Sequence, residues 1–429
     1  MKSLLLIALL MAAIITYSAN TFAASVKPGA KEKELIERLK QLEAKVEKLS
    51  EAKPQALIDP QQNAKNQVTS LLENAKISGF LQVEGKWYNE KNTNDTKKDG
   101  ADIRRLRIAI AGNLTKDLTY RFQNDFGAGL ITDAFFVYGG VKNTEFKIGN
   151  FKPSFSLEKI ISVASTTFVE RSIITASTPS RLVGAQVARF GADWEAALGV
   201  FGEAIDANTA TQTRTDDSTY SVSSRFTYAP INNDDALLHL GLSGSYFGKN
   251  RNTKTVSAGN VTADPIDHES YVDFEFAGKL KSVYLQSEYI INRVNYDNNA
   301  QGGGVVSTTE KKGSFEGYYL QASWFLTGDQ KEYRVKTGDF ATVKVKNPFD
   351  KGGIGAWELA ARFSSLDKND NYRGANITLG KTQDVTAAIN WYLNENTRLM
   401  LDYQRSVADF RQGYDQRFNA LSLRAQVLF

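Results

Sequence analysis

Eight arginines fall in stretches where apolar and polar residues alternate: Arg105, Arg107, Arg121, Arg189, Arg225, Arg362, Arg398 and Arg424. Each guanidinium is a permanent cation whose planar fork of donors matches the oxygens of phosphate or carboxylate. Set along a water-filled wall, such sites replace the hydration shell of an anion stepwise and release it again. Three more cations, Lys152, Lys159 and Arg171, stand in the stretch 152–180, which is rich in apolar, Ser and Thr residues (Ile160, Ile161, Val163, Phe168, Ile173, Ile174). That composition suits a loop folded inside a wall, with Arg171 or Lys159 near its narrowest point. The same parity brings Asp125, Asp273, Glu275, Glu288, Glu358 and Asp402 to the arginine side. Carboxylates a few ångström away take up much of the field of the arginines they meet.

Other chemistries have little to work with. The 429 residues contain no Cys and two His, which excludes a disulfide scaffold, a thiolate zinc site and a cysteine nucleophile. His239 lies mid-strand on the arginine parity and His268 near a loop, and no nucleophile motif accompanies either. No catalytic residue is therefore assigned. No cofactor or metal is expected: Asp367, Asn369 and Asn371 have the spacing of a calcium loop, but Tyr372 occupies the glycine position. Residues 77–429 hold 41 basic and 40 acidic side chains, so no general basic field invites nucleic acid.

The elements that must position these arginines are strands. Leu106, Ile108 and Ile110 alternate with Arg105, Arg107 and Ala109; Val272, Phe274 and Phe276 alternate with Asp273 and Glu275. Period-two alternation gives each strand one apolar and one polar face. A packed soluble core could not hold so many charges on the second face without pairing each one. A wet lumen and a lipid-facing exterior satisfy both faces, and Trp87, Tyr138, Tyr228, Trp324, Trp357, Trp391 and Tyr403 suit aromatic girdles at the membrane interfaces. Sixteen strands can be placed between residues 77 and 429, an even number, as a closed antiparallel barrel requires. Long connections at 89–102, 152–180, 204–217, 249–267, 297–312 and 328–353 are read as the outer loops, and the short ones as periplasmic turns. The fold class is thus an all-β, sixteen-stranded transmembrane barrel preceded by a short coiled-coil helix.

Residues 1–24 read as a signal peptide, with Lys2, the apolar run Leu4–Ile15 and small residues at Ala23 and Ala24. In residues 25–76, Leu35, Leu39, Leu42, Val46 and Leu49 repeat as a short coiled-coil seam, and Pro54 and Pro60 end it. A helix of two or three heptads is marginal alone and needs partners. The expected organisation is signal peptide, periplasmic helix and linker, then a bacterial outer-membrane barrel over 77–429 that contacts outer-membrane lipids.

Six stretches, DAFFVYGG (Asp133–Gly140), GNFKPSFSLE (Gly149–Glu158), TFVERS (Thr167–Ser172), FLTGDQKEYR (Phe325–Arg334), GAWELAARFSSLD (Gly355–Asp367) and AINWYLNENTRLMLDY (Ala388–Tyr403), resemble the phosphate-selective porin O and P family in the family's order. The resemblance implies a homotrimeric porin for small anions, phosphate or polyphosphate among them. Two departures stand out: Ser154 separates Pro153 from Phe155, and Ser162–Ser165 carries no lysine. A general porin for small hydrophilic solutes is the alternative.

Overall fold

The computed structural model describes residues 75–91, 98–203, 205, 220–248, 266–296, 312–368, 380–409 and 416–429. The expected signal peptide and coiled-coil helix lie outside these residues. The strands are β1 (Lys76–Lys91), β2 (Gly100–Asn113), β3 (Leu118–Asp125), β4 (Leu130–Val141), β5 (Thr144–Phe151), β6 (Leu182–Phe190), β7 (Trp194–Phe201), β8 (Ser221–Asn232) and β9 (Ala236–Phe247). They continue as β10 (Ile266–Leu280), β11 (Val283–Tyr296), β12 (Lys312–Phe325), β13 (Gln330–Arg334), β14 (Asp339–Lys344), β15 (Ala356–Asp367), β16 (Lys381–Tyr392), β17 (Thr397–Asp409) and β18 (Gln416–Leu428).

All strands but β13 and β14 form one closed sixteen-stranded antiparallel barrel, with each strand beside its chain neighbours and β18 closing on β1. The last residue makes the final bonds: Gly79 N donates to Phe429 O at 2.7 Å, and Phe429 N to Gly79 O at 3.0 Å. Only glycine fits there, because a Cβ on residue 79 would lie 2.3 Å from Arg107 O and 2.7 Å from the Phe429 ring.

The outward face is apolar as the alternation predicts, with Leu198, Val200, Phe274, Leu320, Tyr403 and Leu423 exposed. Trp357 and Trp391 stack with ring centroids 5.2 Å apart. A closed barrel leaves no unpaired edge in the hydrocarbon, where each unsatisfied backbone group would cost several kcal/mol.

Two segments fold into the lumen. The first is the connection 152–181, whose Phe155, Leu157, Phe168 and Ile174 are almost fully buried, in line with its apolar composition. The second is the hairpin β13–β14, and here the loop assignment from sequence is corrected. Twelve barrel strands return the chain to the rim where β1 begins, so 326–355 belongs to the rim of the short turns and both barrel termini, not to the outer loops. It folds inward because Tyr333, Phe340, Val343 and Val345 form an apolar side that packs on Tyr284, Phe325 and Tyr392 of the wall and on Leu157 and Ile161 of the first segment. Loop and hairpin thus share one core.

Candidate permeation path

Space remains on the side of β1–β7. A cavity of 560 Å³ is lined by Arg107, Arg121, Lys147, Lys152, Arg181, Arg334 and Lys336, with Asp133, Glu145 and Glu195 as its acids. A second cavity of 160 Å³ is lined by Arg105, Lys159, Glu170, Arg171 and Arg424. The two share Val163 of the inward loop and divide between them Arg105 and Arg107, which are successive inward residues of β2. Phe429 lines the larger cavity, which therefore lies toward the rim of the short turns.

The arginines on this path differ in how far their charge is spent. Arg105 Nη1 donates to Gln82 Oε1 at 3.0 Å, a neutral partner. Arg107 Nε meets Asp125 Oδ2 at 2.7 Å. Arg121 and Arg181 share Asp133, at 3.8 and 2.8 Å. Arg424 pairs with Glu84 and lies 3.7 Å from Glu170. Lys147 stands over the rings of Phe135 and Phe151, 5.1 Å from each centroid.

Three other predicted arginines face inward but hold the plug rather than the path. Arg225 is buried, pairs with Glu275 at 2.7 Å and donates to Thr337 O and Gly338 O of the hairpin at 2.9 and 2.8 Å. Arg362 meets Glu158 of the inward loop at 3.3 Å and covers the Phe168 ring. Arg398 donates to Thr166 O at 2.8 Å. His239, also inward, meets Tyr333 Oη of the hairpin at 2.6 Å.

Arg189 is a correction. It is exposed on the outward face of β6, because Gln186 and Ala188 carry the lumen parity and line the larger cavity. It pairs in register with Thr144 and Ala196, next to a turn, a position that suits a long side chain snorkelling to a membrane interface. An arginine at mid-bilayer depth on that face would cost about 2–4 kcal/mol.

The three loop cations lie on the inward-folded segment, and each is tied to backbone. Lys152 Nζ donates to Lys159 O at 2.6 Å, and Lys159 Nζ to Thr175 O at 3.3 Å. Arg171 donates to Glu158 O at 2.9 Å and Ile161 O at 2.6 Å. Burial, then the charges of Arg171 and Arg181, push the Lys152 ammonium well below the usual lysine range.

One inward arginine escapes simple parity. The β1–β2 register shifts between Gln82 and Val83, which pair with Arg105 and Ile103. A bulge of this kind inserts an unpaired residue and re-aims its side chain. Arg104 is that residue, and its Nε reaches Glu170 Oε1 at 3.2 Å. Lys86 meets the same carboxylate at 3.1 Å and Glu84 at 2.7 Å. Burial alone would push Glu170 up, but Lys86, Arg104, Arg424 and Arg105 outweigh it and hold the carboxyl at about 2.

Across the lumen, Asp273, Glu275 and Glu288 bring carboxylate oxygens within 4.8 Å of one another. Glu275 is satisfied by Arg225 and by Ser243 at 2.7 Å, whereas both Asp273 oxygens and Glu288 Oε1 have no donor among the described residues.

The molecule is thus a closed sixteen-stranded barrel with two cation-lined cavities beside an inward-folded loop. The sequence profile of the phosphate-selective porin O and P family matches residues 81–429. The chain belongs to this family. It is 26% identical to Porin O of Pseudomonas aeruginosa over 381 residues, 78% of this chain and 83% of that protein. It is also 26% identical to an uncharacterized protein of Caulobacter vibrioides, over 77% of this chain and 68% of that one. Among solved structures the barrel resembles OmpT of Vibrio cholerae (TM-score 0.54, 10% identity, 83% of this chain and 97% of that one). It resembles the channel DcaP of Acinetobacter baumannii to a similar degree (TM-score 0.51, 12% identity, 83% and 97%). These likenesses carry the fold, and the family places the chain in the bacterial outer membrane.

Proposed function

We propose that this porin is a passive channel for small anions such as phosphate, and that the surplus of cations over carboxylates around its two cavities carries the selectivity. Seven basic side chains against three acidic ones line the larger cavity, although the barrel segment as a whole is almost neutral. The local placement of charge supports the reading where net charge does not. An anion entering the smaller cavity meets Arg105, Lys159, Arg171 and Arg424, passes Arg107, and reaches Arg121, Lys152 and Arg181. Each step exchanges water for donors that already have other partners, so no single site holds the anion long. Arg105, whose side-chain partner is the neutral Gln82, offers the least compensated charge.

The shorter strands β3, β5, β6 and β7, of 8 to 9 residues against 12 to 15 in β8–β12 and β15–β18, support a second part of the reading. Eight residues barely span the hydrocarbon at a barrel's tilt. Phe136, Phe146 and Ile148 are exposed on this low wall. We read it as the side turned toward sister subunits of a homotrimer, with lipid around the rest. Residues 1–24 are read as the export signal and 25–76 as a periplasmic helix and linker. Reversal potential in a KCl gradient tests the anion reading. A cation-selective current, or a chloride current that millimolar phosphate leaves unchanged, contradicts it.

A further inference from the structure

We infer that Lys331, on the hairpin from the periplasmic rim, is a positioning residue that sets the constriction by holding the inward loop in place. Lys331 is buried on β13, inside the barrel but not part of its wall, and it lines neither of the two cavities. Its ammonium lies 2.6 Å from Thr167 Oγ1 of the inward loop and 2.6 Å from Glu358 Oε1 of β15. The rings of Tyr284 and Phe325 flank it at 5.6 Å, an arrangement that holds a desolvated cation. Its backbone N–H donates to Tyr284 Oη at 2.5 Å, so the main chain is fixed to the wall as well.

The partners of Lys331 close a small network. Glu358 Oε2 accepts from Asn390 Nδ2 at 2.9 Å and from Tyr392 Oη at 2.8 Å. Asn390 Nδ2 also donates to Thr167 O at 2.8 Å. Both the backbone and the hydroxyl of Thr167 are therefore gripped. Neighbouring loop residues are tied to the wall alone: Thr166 O to Arg398, Val169 N to Asp402 Oδ2 and Ala164 O to Gln426. Lys331 adds a tie from a different element. The stretch it holds, 163–171, supplies Val163, Thr166, Val169, Glu170 and Arg171 to the lining of the smaller cavity. A shift at Thr167 moves those residues together, because Glu170 and Arg171 follow within four positions.

The inference rests on the chain being a channel and not on which ion it prefers. Three forms of the full-length protein test it in planar bilayers, with single-channel conductance and open-channel noise as readouts. Thr167→Val is isosteric and removes the hydroxyl while leaving the Lys331–Glu358 pair. Lys331→Met combined with Glu358→Gln removes the tie without stranding a buried charge. Thr167→Ser keeps the hydroxyl. Both of the first two are expected to change conductance and raise noise, with barrel stability on heated gels unchanged for Thr167→Val, and Thr167→Ser is expected to match the wild type. Unchanged conductance and noise in Thr167→Val overturn the inference, as does a Thr167→Ser channel as altered as Thr167→Val. A wild-type trimer without conductance would instead overturn the channel itself.

Discussion

Replacing Arg105 and Arg107 separately by glutamine distinguishes a free cation from a compensated one. Arg105 bonds to the neutral Gln82, so Arg105→Gln removes one positive charge from the path. An anion 4 Å from a unit charge gains about 1 kcal/mol in water and about 4 kcal/mol at an effective dielectric of 20. A water-filled lumen lies near the lower bound, so about 1–2 kcal/mol is lost, roughly a five- to thirty-fold drop in local anion occupancy. Arg107→Gln does more, because Asp125 is left behind at 2% exposure with its Oδ1 already lacking a donor. The lumen loses a cation and gains an uncompensated carboxylate, so selectivity moves further toward cations than in Arg105→Gln. Breaking a buried pair from one side also costs about 3–5 kcal/mol of stability. Adding Asp125→Asn should recover most of that stability and part of the selectivity. The assay is reversal potential in a salt gradient together with the thermal midpoint of the detergent-solubilised barrel. Equal effects of the two single variants, or no rescue by Asp125→Asn, would refute the distinction.

Other expectations follow from the same geometry. Glu170→Gln leaves Lys86, Arg104 and Arg424 less compensated, so anion preference should rise in reversal-potential measurements. The carboxyl of Glu170 is depressed to about 2, below the unfolded value of about 4.3, so its stabilising contribution is complete above the unfolded value and lost as pH falls through about 2. Comparing wild type with Glu170→Gln should therefore show no Glu170-dependent step in conductance between pH 7 and pH 4; a step near pH 4 to 5 would contradict the depressed value. Asp273→Asn replaces a buried carboxyl whose two oxygens lack donors and which is crowded by Glu275 and Glu288; it should raise thermal stability by about 1–3 kcal/mol, and a fall would show that a donor or ion satisfies the carboxyl. Arg189→Ala, on the outward face, should leave reversal potential unchanged in the bilayer assay.

The strands were legible because a lumen and a bilayer impose opposite polarities on alternate residues. Parity correctly turned Arg105, Arg107, Arg121, Arg225, Arg362, Arg398 and Arg424 inward. It failed at Arg189 because the reading followed the charge itself, although Val183, Ala185 and Val187 share its face and the polar Gln186 stands on the other. It missed Arg104 because a bulge breaks the period that the reading assumes. The hairpin was misplaced because a long polar-looking connection resembles an outer loop until the strands before it are counted. Val343 and Val345, alternating with Thr342, Lys344 and Lys346, were the available signal. Charge pairing was not legible at all: Arg424 finds Glu84 and Arg362 finds Glu158 only because the barrel closes and the loop folds inward.

The central claim is that local cation placement, in an almost neutral barrel, makes this porin anion-selective. The reversal potential of the wild-type channel in a KCl gradient, followed by phosphate titration of the chloride current, tests it most directly. An anion-selective channel gives a potential of the sign set by chloride, with current falling as phosphate rises through the millimolar range. A potential of the sign set by potassium, with phosphate without effect, would contradict it.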